Sequence, residues 1–161
     1  MDKYLRKNPL FDLSQFDLSA TCMNHEDISN FNPQSGDMKH LDRVIWINED
    51  ATQGLGIKEI KENEFWVSGH IPGRPLFPGV LMIEAAGQLC SVVYQKYRKE
   101  KIFIGLVKLN NFSFRGTVCI GDSLYLMMQK VKFQNNIFIC TAQGIVNNSV
   151  VFSGEITGMP V

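Results

Sequence analysis

The sequence has little of what metal sites, disulfide scaffolds and nucleic-acid-binding surfaces require. Only three histidines and four cysteines occur in 161 residues, and they are scattered, with no CxxC pair and no spacing typical of metal ligands. The 16 basic and 16 acidic side chains leave a formal net charge of zero. This balance argues against a general electrostatic attraction to nucleic acid or to anionic membranes.

Long apolar runs are also missing. The longest, residues 80–94, contains Glu84 and Gln88 and is too short and too polar to span a bilayer. The first residues, MDKYLRKNPLFDLSQFDLS, carry acids where a signal peptide has its apolar core. We therefore expect a cytoplasmic protein. In a reducing compartment the cysteines are predicted to be free and buried: Cys22, Cys90, Cys119 and Cys140.

With 45% hydrophobic and 20% charged residues, the chain is predicted to form a globular body with one substantial core. Residues 1–38 are predicted to be an N-terminal arm, a short helix or an extended segment that packs on the main domain at 39–161. The stretch 24–37 is polar and rich in turn residues. His25 within it is predicted to be a solvated loop residue.

Runs of β-branched and aromatic residues predict strands at 43–48, 55–60, 102–115, 123–133, 137–146 and 150–157. A short extended piece is expected at 64–67, and a kink or bulge near Asn110 and Asn111. Successive hairpins predict an antiparallel meander. Because a long helix is expected between the second and third strands, the predicted fold class is α+β.

The segment GHIPGRPLFPG, at 69–79, holds three prolines and three glycines and is predicted to be a loop. A nearly unbroken apolar helix follows from Val80. Its polar residues recur at steps of four, three and four and form one narrow stripe: Glu84, Gln88, Ser91 and Gln95. A curved sheet must wrap such a helix, so the stripe must face either a second subunit or an internal cavity.

Three residues of this stretch are candidates for chemistry. His70 is a candidate base, since neutral imidazole is the usual base near pH 7. A carboxyl group in an apolar site can act as a neutral acid, which makes Glu84 a candidate proton donor. Gly79 follows Pro78 at the helix start, where its unpaired N–H is suited to a developing oxyanion. Purely structural roles for all three stay open at this point.

A base, an acid and an oxyanion donor beside an apolar cavity suit one class of reaction. A proton is removed α to a carbonyl group while a hydroxyl on the β carbon leaves as water. The spacing of the residues does not prove this reaction by itself.

The segment GHIPGRPLFPGVLMIEAAGQ, at 69–88, resembles the signature of the 3-hydroxyacyl-acyl-carrier-protein dehydratases of the FabZ type, and less closely that of their FabA relatives. Two weaker matches are LDRV at 41–44 and FRGTVCIGD at 114–122. Together they are in the family's order over residues 40–155. The resemblance implies the hotdog fold, a long central helix wrapped by a strongly bent antiparallel sheet of about five to six strands.

The resemblance also implies residue roles. His70 would be the catalytic base at C2 and Glu84 the acid that helps the C3 hydroxyl depart. Gly79 would polarise the thioester carbonyl through its amide, and Gln88 would support the acid. In the family the His and Glu of one site come from different subunits, which implies a homodimer or a trimer of dimers. Neither an organic cofactor nor a metal is needed.

The substrate implied is a 3-hydroxyacyl thioester on the phosphopantetheine arm of an acidic acyl carrier protein. Candidates for the apolar tunnel are Ile71, Phe77, Pro78 and Val80. Basic side chains are candidates for carrier docking, although they could equally be solvated charges: Lys96, Arg98, Lys99, Lys101, Arg115 and Lys132. Two departures from the family pattern are Ile71, where a Phe is usual, and CIGD at 119–122, which lacks a Pro.

Two other functions stay open. An acyl thioesterase of the same fold would activate water and release a free thiol. A non-catalytic acyl-binding subunit would pair with an active relative, but the presence of both His70 and Glu84 argues against this possibility.

Overall fold

The computed structural model describes residues 8–134 and 136–161. In this part of the chain a long helix, α2 (Gly79–Arg98), is wrapped by a six-stranded antiparallel sheet. A short helix, α1 (His25–Ser29), precedes the sheet. The strands are β1 (Arg43–Ile47), β2 (Gln53–Glu59), β3 (Ile104–Phe114), β4 (Ser123–Gln134), β5 (Ile137–Val146) and β6 (Ser149–Pro160).

The strand order is β1-β2-β4-β5-β6-β3, which is not a simple meander. The prediction of successive hairpins is confirmed for β4, β5 and β6. It is wrong for β3, which pairs with β6 at the far edge of the sheet. The chain leaves the sheet after β2, runs through α2 and rejoins it at the opposite edge. This detour places β3 at an edge of the sheet, where it can accept a further partner.

Bulges bend the sheet around the helix. The pairing of β3 with β6 shifts register between Asn110 and Ser113, and Asn111 has a positive φ of 52°. This confirms the predicted kink near Asn110 and Asn111. A second shift lies in β1 between Val44 and Trp46. Such bulges increase local twist and let a sheet curve.

The apolar sides of α2 lie against the concave face of the sheet. Leu89 and Val93 are fully buried, each contributing about 1.5–3 kcal/mol relative to an exposed side chain. The close approach of helix and sheet requires Gly54 in β2, because a Cβ there would lie 2.7 Å from Val93 Cγ2. The helix ends at Lys99, whose φ of 54° places it in the left-handed region typical of a C-terminal cap.

The segment 64–67 is a turn, so its prediction as an extended piece is wrong. The Val67 N–H donates to the carbonyl of Glu64 at 3.1 Å, and the His70 N–H donates to the carbonyl of Trp66 at 2.8 Å. The Glu64 carboxylate also forms an ion pair with Lys58 Nζ at 3.0 Å and accepts a hydrogen bond from Trp66 Nε1 at 3.0 Å. These local bonds compete successfully with the strand preference of the aromatic residues.

The N-terminal arm packs on the outer face of the sheet. Leu13 joins an apolar cluster there with residues of β1, β2, β4 and β5. Phe11 and Phe16 pack on Trp46 with ring centroids 5.9 and 4.8 Å away. The Leu10 N–H donates to the side chain of a buried glutamine of β5 at 2.8 Å. Residues 1–7 of the arm lie outside the described residues, and the division between residues 38 and 39 stays a prediction.

His25 begins α1 instead of lying in an open loop. Asn24 and Asp27 form a reciprocal capping box at the start of this helix. The His25 side chain is 49% exposed, with Nε2 3.4 Å from Asp42 Oδ1. The prediction of a solvent-facing histidine therefore holds for exposure, while the local structure is helical.

The cysteines are free, but they are not all buried. Cys90 of α2 and Cys140 of β5 are fully buried, and burial raises the pKa of the Cys140 thiol well above its ordinary value. Cys22 and Cys119 are exposed, so the prediction is wrong for these two. Cys119 forms an isolated antiparallel bridge with Leu76.

None of the described helices is long and apolar enough to cross a membrane.

Candidate active site

His70 lies at the end of the turn that precedes the proline-rich loop. Its ring Nδ1 is 2.8 Å from the carbonyl oxygen of Leu76. A carbonyl oxygen only accepts hydrogen bonds, so Nδ1 carries the hydrogen and donates it. In the neutral ring the lone pair is then on Nε2, the nitrogen that acts as a base. The half-buried ring is thus held as the tautomer that base catalysis requires.

The backbone next to His70 is strained. Ile71 has a φ of 57°, in the left-handed region that a β-branched residue rarely adopts. Its carbonyl accepts from the Arg74 N–H at 2.9 Å, which closes a tight turn. Strain of this kind persists only where the surrounding structure imposes it, and it is common at functional sites.

Gly79 is the first residue of α2, and its N–H has no acceptor within the helix. Pro78 precedes it and supplies no capping side chain. A Cβ at Gly79 would lie 2.9 Å from the ring of Phe114, so only glycine fits beneath that ring. The positive end of the helix is therefore uncapped by its preceding side chain, as expected for an oxyanion donor.

Glu84 accepts two side-chain hydrogen bonds on the same oxygen. Gln88 Nε2 lies 2.8 Å from Glu84 Oε1, and Gln34 Nε2 lies 3.1 Å from it. Because both amides donate to Oε1, a proton carried by Glu84 sits on Oε2. The acid predicted from the sequence is therefore oriented by two neutral amides.

Gln88 is fixed so that its N–H groups, and not its carbonyl, face Glu84. Its Oε1 accepts from the backbone N–H groups of His40 and Leu41 at 3.0 and 3.1 Å. Its Nε2 also donates to the carbonyl of Met38 at 2.7 Å. Gln88 is only 3% exposed, so reversing its amide would break all of these bonds. The amide of Gln88 is therefore held with its donors toward Glu84, and its supporting role in catalysis stays a prediction.

The polar stripe of α2 has two environments. Gln88 and Gln95 are covered by the chain's own segment 31–41, since Gln95 Nε2 donates to the carbonyl of Phe31 at 3.2 Å. Glu84 and Ser91 line a partly open cavity, which Gln88 also borders. This cavity opens to the surface of the single chain beside the exposed Val80 and Leu106, so the choice between a second subunit and an internal cavity stays open. The sequence pattern does not indicate that segment 31–41 covers part of the stripe. Nothing in this turn-rich segment signals contact with a helix about 50 residues later in the chain.

The cavity has a volume of about 260 Å³. It lies between the helix stripe and the sheet, with β3, β5 and β6 forming its apolar walls. The residues of α2 that line it are Val80, Ile83, Glu84, Gly87, Gln88 and Ser91. An apolar cavity with a carboxyl group in its wall suits an acyl chain with one polar substituent.

Among the described residues, His70 does not line the cavity that contains Glu84. Of the predicted tunnel residues, Val80 lines it, whereas Phe77 is buried against Trp66 with ring centroids 5.4 Å apart. Pro78 is buried at the start of α2, and Ile71 is 46% exposed. Within one chain the structure therefore does not bring His70 and Glu84 to the same cavity.

His40 is a second histidine near the site, and no pattern in the sequence indicates its burial. It is 1% exposed, with Phe65 and Phe77 ring centroids each 6.2 Å away. Neither ring nitrogen has a hydrogen-bond partner among the described residues. Burial lowers the pKa of His40, and the charge of Lys58 lowers it further. The imidazole is therefore held in its neutral form behind Gln88.

A buried ion pair holds the turn that leads to His70. Lys58 is 4% exposed, with Nζ 3.0 Å from Glu64 and 3.9 Å from Asp42. Burial raises the pKa of Glu64, but hydrogen bonds from the Lys61 N–H, Trp66 and Lys58 outweigh it and leave the pKa below its ordinary value. Breaking a buried pair on one side leaves an uncompensated charge, so this network fixes the turn firmly.

The basic residues predicted for carrier docking lie at more than one place. Lys96 and Lys101 stack on the ring of Phe31, with Nζ 5.4 and 5.8 Å from its centroid. Lys99 is exposed at the end of α2, and Arg98 pairs with Glu100 at 2.9 Å. These four basic residues form one group at the C-terminal end of the helix, called the Lys99 group.

Arg115 is at the other end of α2. It follows Phe114, whose ring covers Gly79, and its Nη1 donates to Ser153 Oγ at 3.1 Å. A helix of 20 residues is about 30 Å long, which separates Arg115 from the Lys99 group. Lys132 is exposed on β4. The six candidates therefore do not form a single patch.

The edge strand β3 exposes three apolar side chains that lie close together in the sequence. Leu106, Val107 and Leu109 are 61%, 51% and 41% exposed. Val80, at the outer end of the cavity, is 72% exposed. An apolar edge strand is a site for pairing with another chain.

The model of the FabA-like domain family matches residues 32–155. This chain belongs to the FabA-like family. It is 38% identical over 139 residues to the 3-hydroxyacyl-[acyl-carrier-protein] dehydratase FabZ of Clostridium acetobutylicum, covering 84% of this chain and 96% of that relative. FabZ of Herpetosiphon aurantiacus is 33% identical over 135 residues, covering 81% and 93%. The resemblance to FabZ is thereby confirmed.

Solved structures support the fold of this FabA-like protein. A chain of the dehydratase heterocomplex ApeI:P from Xenorhabdus doucetiae superposes with a TM-score of 0.70 at 15% identity, covering 83% of this chain and 90% of that one. A sigma28-regulated virulence protein from Campylobacter jejuni gives 0.64 at 13% identity, covering 90% and 95%. At these identities the likeness shows the fold, and the predicted hotdog fold is confirmed.

Proposed function

We propose that this protein is a hydro-lyase that dehydrates (3R)-3-hydroxyacyl thioesters of an acyl carrier protein to trans-2-enoyl thioesters, in fatty-acid or related lipid biosynthesis. The observation that carries the proposal is the orientation of two residues that FabZ-type sequences share. His70 donates from Nδ1 to the Leu76 carbonyl, which leaves Nε2 as the base nitrogen, and Glu84 lines an apolar cavity with Oε1 occupied by two amide donors. Both are poised for proton transfer.

The elimination needs one base and one acid. His70 Nε2 removes a proton from C2 of the substrate. The C3–O bond then breaks, the C2–C3 double bond forms, and Glu84 Oε2 gives its proton to the departing hydroxyl, which leaves as water. Negative charge that builds on the thioester oxygen is stabilised by the Gly79 N–H at the positive end of α2. No step requires a metal or an organic cofactor.

Each active site combines residues of two subunits in this proposal. Within one chain His70 does not line the cavity of Glu84 among the described residues, and β3 offers an exposed apolar edge with Leu106 and Val107. Pairing of two β3 edges would form a homodimer and carry His70 of one subunit towards Glu84 of the other. A trimer of dimers is the next order of assembly expected from the FabZ resemblance.

The acyl carrier protein is proposed to dock at the N-terminal end of α2. The phosphopantetheine arm must deliver its thioester to Gly79 and His70, and Arg115 follows Phe114, whose ring covers Gly79. Arg74, in the same proline-rich loop as His70, is exposed. The Lys99 group lies about 30 Å away at the other helix end, so it contributes less to docking. A cytoplasmic location stays a prediction.

The test is a dehydration assay on the purified homo-oligomer. Incubation with 3-hydroxyacyl carrier protein should produce the absorbance of an α,β-unsaturated thioester, and His70→Ala and Glu84→Gln should each abolish it. Activity that survives both substitutions overturns the site assignment. A second assay incubates the protein with a simple acyl thioester and measures the release of free thiol. Thiol release without enoyl product assigns a thioesterase instead.

A further inference from the structure

Gly87 is an unusual residue for its position. It lies in the interior of α2, where glycine is less favourable to a helix than any residue except proline. A Cβ at Gly87 would meet nothing within 4 Å among the described residues. Gly54 and Gly56 of β2, in contrast, are each needed because a Cβ would collide with a packed side chain. Packing within the described chain therefore does not explain the glycine at position 87.

The space beside Gly87 is the same cavity that Glu84 lines. Gly87 lines it one helical turn beyond Glu84, and Ser91 lines it a further turn along. At 1.5 Å per residue, Ser91 lies about 10 Å from Glu84 along the helix axis. The cavity thus continues well past the acid, toward the C-terminal half of α2.

Phe138 closes the cavity at that end. It lines the cavity together with Ile156 and Gly158, and its ring packs on Tyr94 of α2 with centroids 5.1 Å apart. A Cβ at Gly158 would lie 2.6 Å from the Phe138 ring, so the ring is held in place against β6. The far end of the cavity is therefore a rigid apolar wall.

We propose that Gly87 sets the length of acyl chain that the site accepts: its missing side chain keeps open the passage from Glu84 to the cavity end at Ser91 and Phe138. The proposal rests on the proposed dehydratase function, since Glu84 marks where C3 of the substrate lies. Carbons beyond C4 then pass Gly87, and longer chains reach Ser91. The substrates favoured are 3-hydroxyacyl chains long enough to fill both helical turns.

A side chain at position 87 would project into this passage. An alanine narrows it, and a leucine fills it, while a 3-hydroxybutyryl chain ends before it. Excess volume in an apolar site is resisted because the walls are close-packed. The ratio of activity on long chains to activity on short chains should therefore fall as the side chain at position 87 grows.

The experiment compares wild-type protein with Gly87→Ala, Gly87→Leu and Ser91→Leu. The value of kcat/KM is measured on 3-hydroxybutyryl, 3-hydroxyhexanoyl and 3-hydroxydecanoyl carrier protein. For Gly87→Leu, the ratio of kcat/KM on decanoyl to kcat/KM on butyryl carrier protein should fall by about tenfold or more. One methylene in an apolar pocket already changes kcat/KM by about 10- to 200-fold. Ser91→Leu should lower the decanoyl rate and spare the hexanoyl rate. The proposal is overturned if the decanoyl-to-butyryl ratio is unchanged in Gly87→Leu. It is also overturned if Gly87→Leu and Ser91→Leu lose activity at the same acyl chain length.

Two further measurements separate the possible failures. Calorimetric binding of saturated acyl carrier proteins, which have no hydroxyl to eliminate, tests chain length without turnover. If wild-type protein binds decanoyl chains and Gly87→Leu does not, the inference holds even where no dehydration is found. Thermal unfolding and solution mass are measured on each variant. Gly87→Ala should melt no lower than wild-type protein, and a loss of dimers on this change would assign Gly87 to subunit contact and overturn the proposal.

Discussion

The side-chain nitrogen of Gln34 lies 3.1 Å from Glu84 Oε1, although 50 residues separate the two in the chain. Gln34 belongs to the predicted N-terminal arm and Glu84 to the central helix. The segment before β1 therefore contributes to the candidate active site, in addition to covering the polar stripe of α2. The acid is oriented from two sides, by an amide of its own helix and by an amide of this segment.

Gln34→Ala is expected to lower kcat about tenfold with a smaller change in KM. The substitution removes one of the two donors to Glu84 Oε1, and a hydrogen bond to an ionisable group contributes about 1.5–3 kcal/mol. Steady-state kinetics at a fixed pH check this, because a residue that orients the acid changes kcat more than KM, whereas a merely structural residue changes neither selectively. Ser35→Ala, at an exposed neighbouring residue, is the matched control. Equal kcat values for the two variants would contradict a positioning role for Gln34.

Gln88→Leu is expected to destabilise the fold by roughly 2–5 kcal/mol, since it leaves two buried backbone N–H groups and one carbonyl without partners. The donors concerned are those of His40 and Leu41, and the acceptor is that of Met38. Urea denaturation measures the loss. Ser91→Ala, which removes a single bond to Gln95 on the same stripe, should cost much less. If Gln88→Leu lowers the free energy of unfolding no more than Ser91→Ala does, Gln88 is not the main link between segment 31–41 and α2.

His40→Leu should make stability less sensitive to acid. Burial lowers the pKa of His40 in the folded protein below its ordinary value of 6.5. As the pH falls, the unfolded chain therefore binds more protons at this residue than the folded chain does. The corresponding stability is fully present above about pH 6.5 and is lost as the pH falls through the folded pKa. Urea unfolding at pH 7.5 and pH 5.5 gives the difference. Parallel losses in wild type and His40→Leu would show that His40 does not titrate on unfolding.

The sequence was sufficient to predict the wrapped helix, because the apolar periodicity of α2 and the strand runs are local patterns. Local spacing and the family resemblance likewise indicate His70, Gly79 and Glu84. Gln34 and His40 were not found, since their roles depend on contacts across about 50 residues with α2. No periodicity records such contacts.

The two misassigned segments have the same kind of cause. The turn at 64–67 forms because Glu64 pairs with the buried Lys58, and this tertiary contact overrides the strand preference of Phe65 and Trp66. The edge position of β3 follows from where the chain returns after α2, which hairpin signals cannot report.

Ile71→Gly is expected to stabilise the protein by about 1 kcal/mol, because glycine adopts a positive φ without the steric cost that a β-branched residue carries. Activity should nevertheless fall, since the strained turn restricts the neighbouring His70. Melting temperature and kcat are measured together. Gly73→Ala is the control, with a φ of 82° in the same loop, and it should destabilise the protein. A variant Ile71→Gly that is no more stable than wild type would show that the surrounding loop imposes no strain at this residue.

Mixed dimers test whether one active site draws on two subunits. His70→Ala and Glu84→Gln homodimers should each be inactive. Co-expression in equal amounts makes half of the dimers mixed, and each mixed dimer regains one intact site if His70 and Glu84 come from different chains. About a quarter of wild-type activity should therefore return.

The control for this experiment replaces the Glu84→Gln chain with one that carries both substitutions. Its mixed dimers with His70→Ala have no intact His70, so no activity should return under either arrangement. If His70 and Glu84 of one site came from the same chain, neither mixture would recover activity, because each chain lacks one of the pair. Recovery only with the Glu84→Gln partner therefore assigns the shared site, and its absence would place both residues in one subunit.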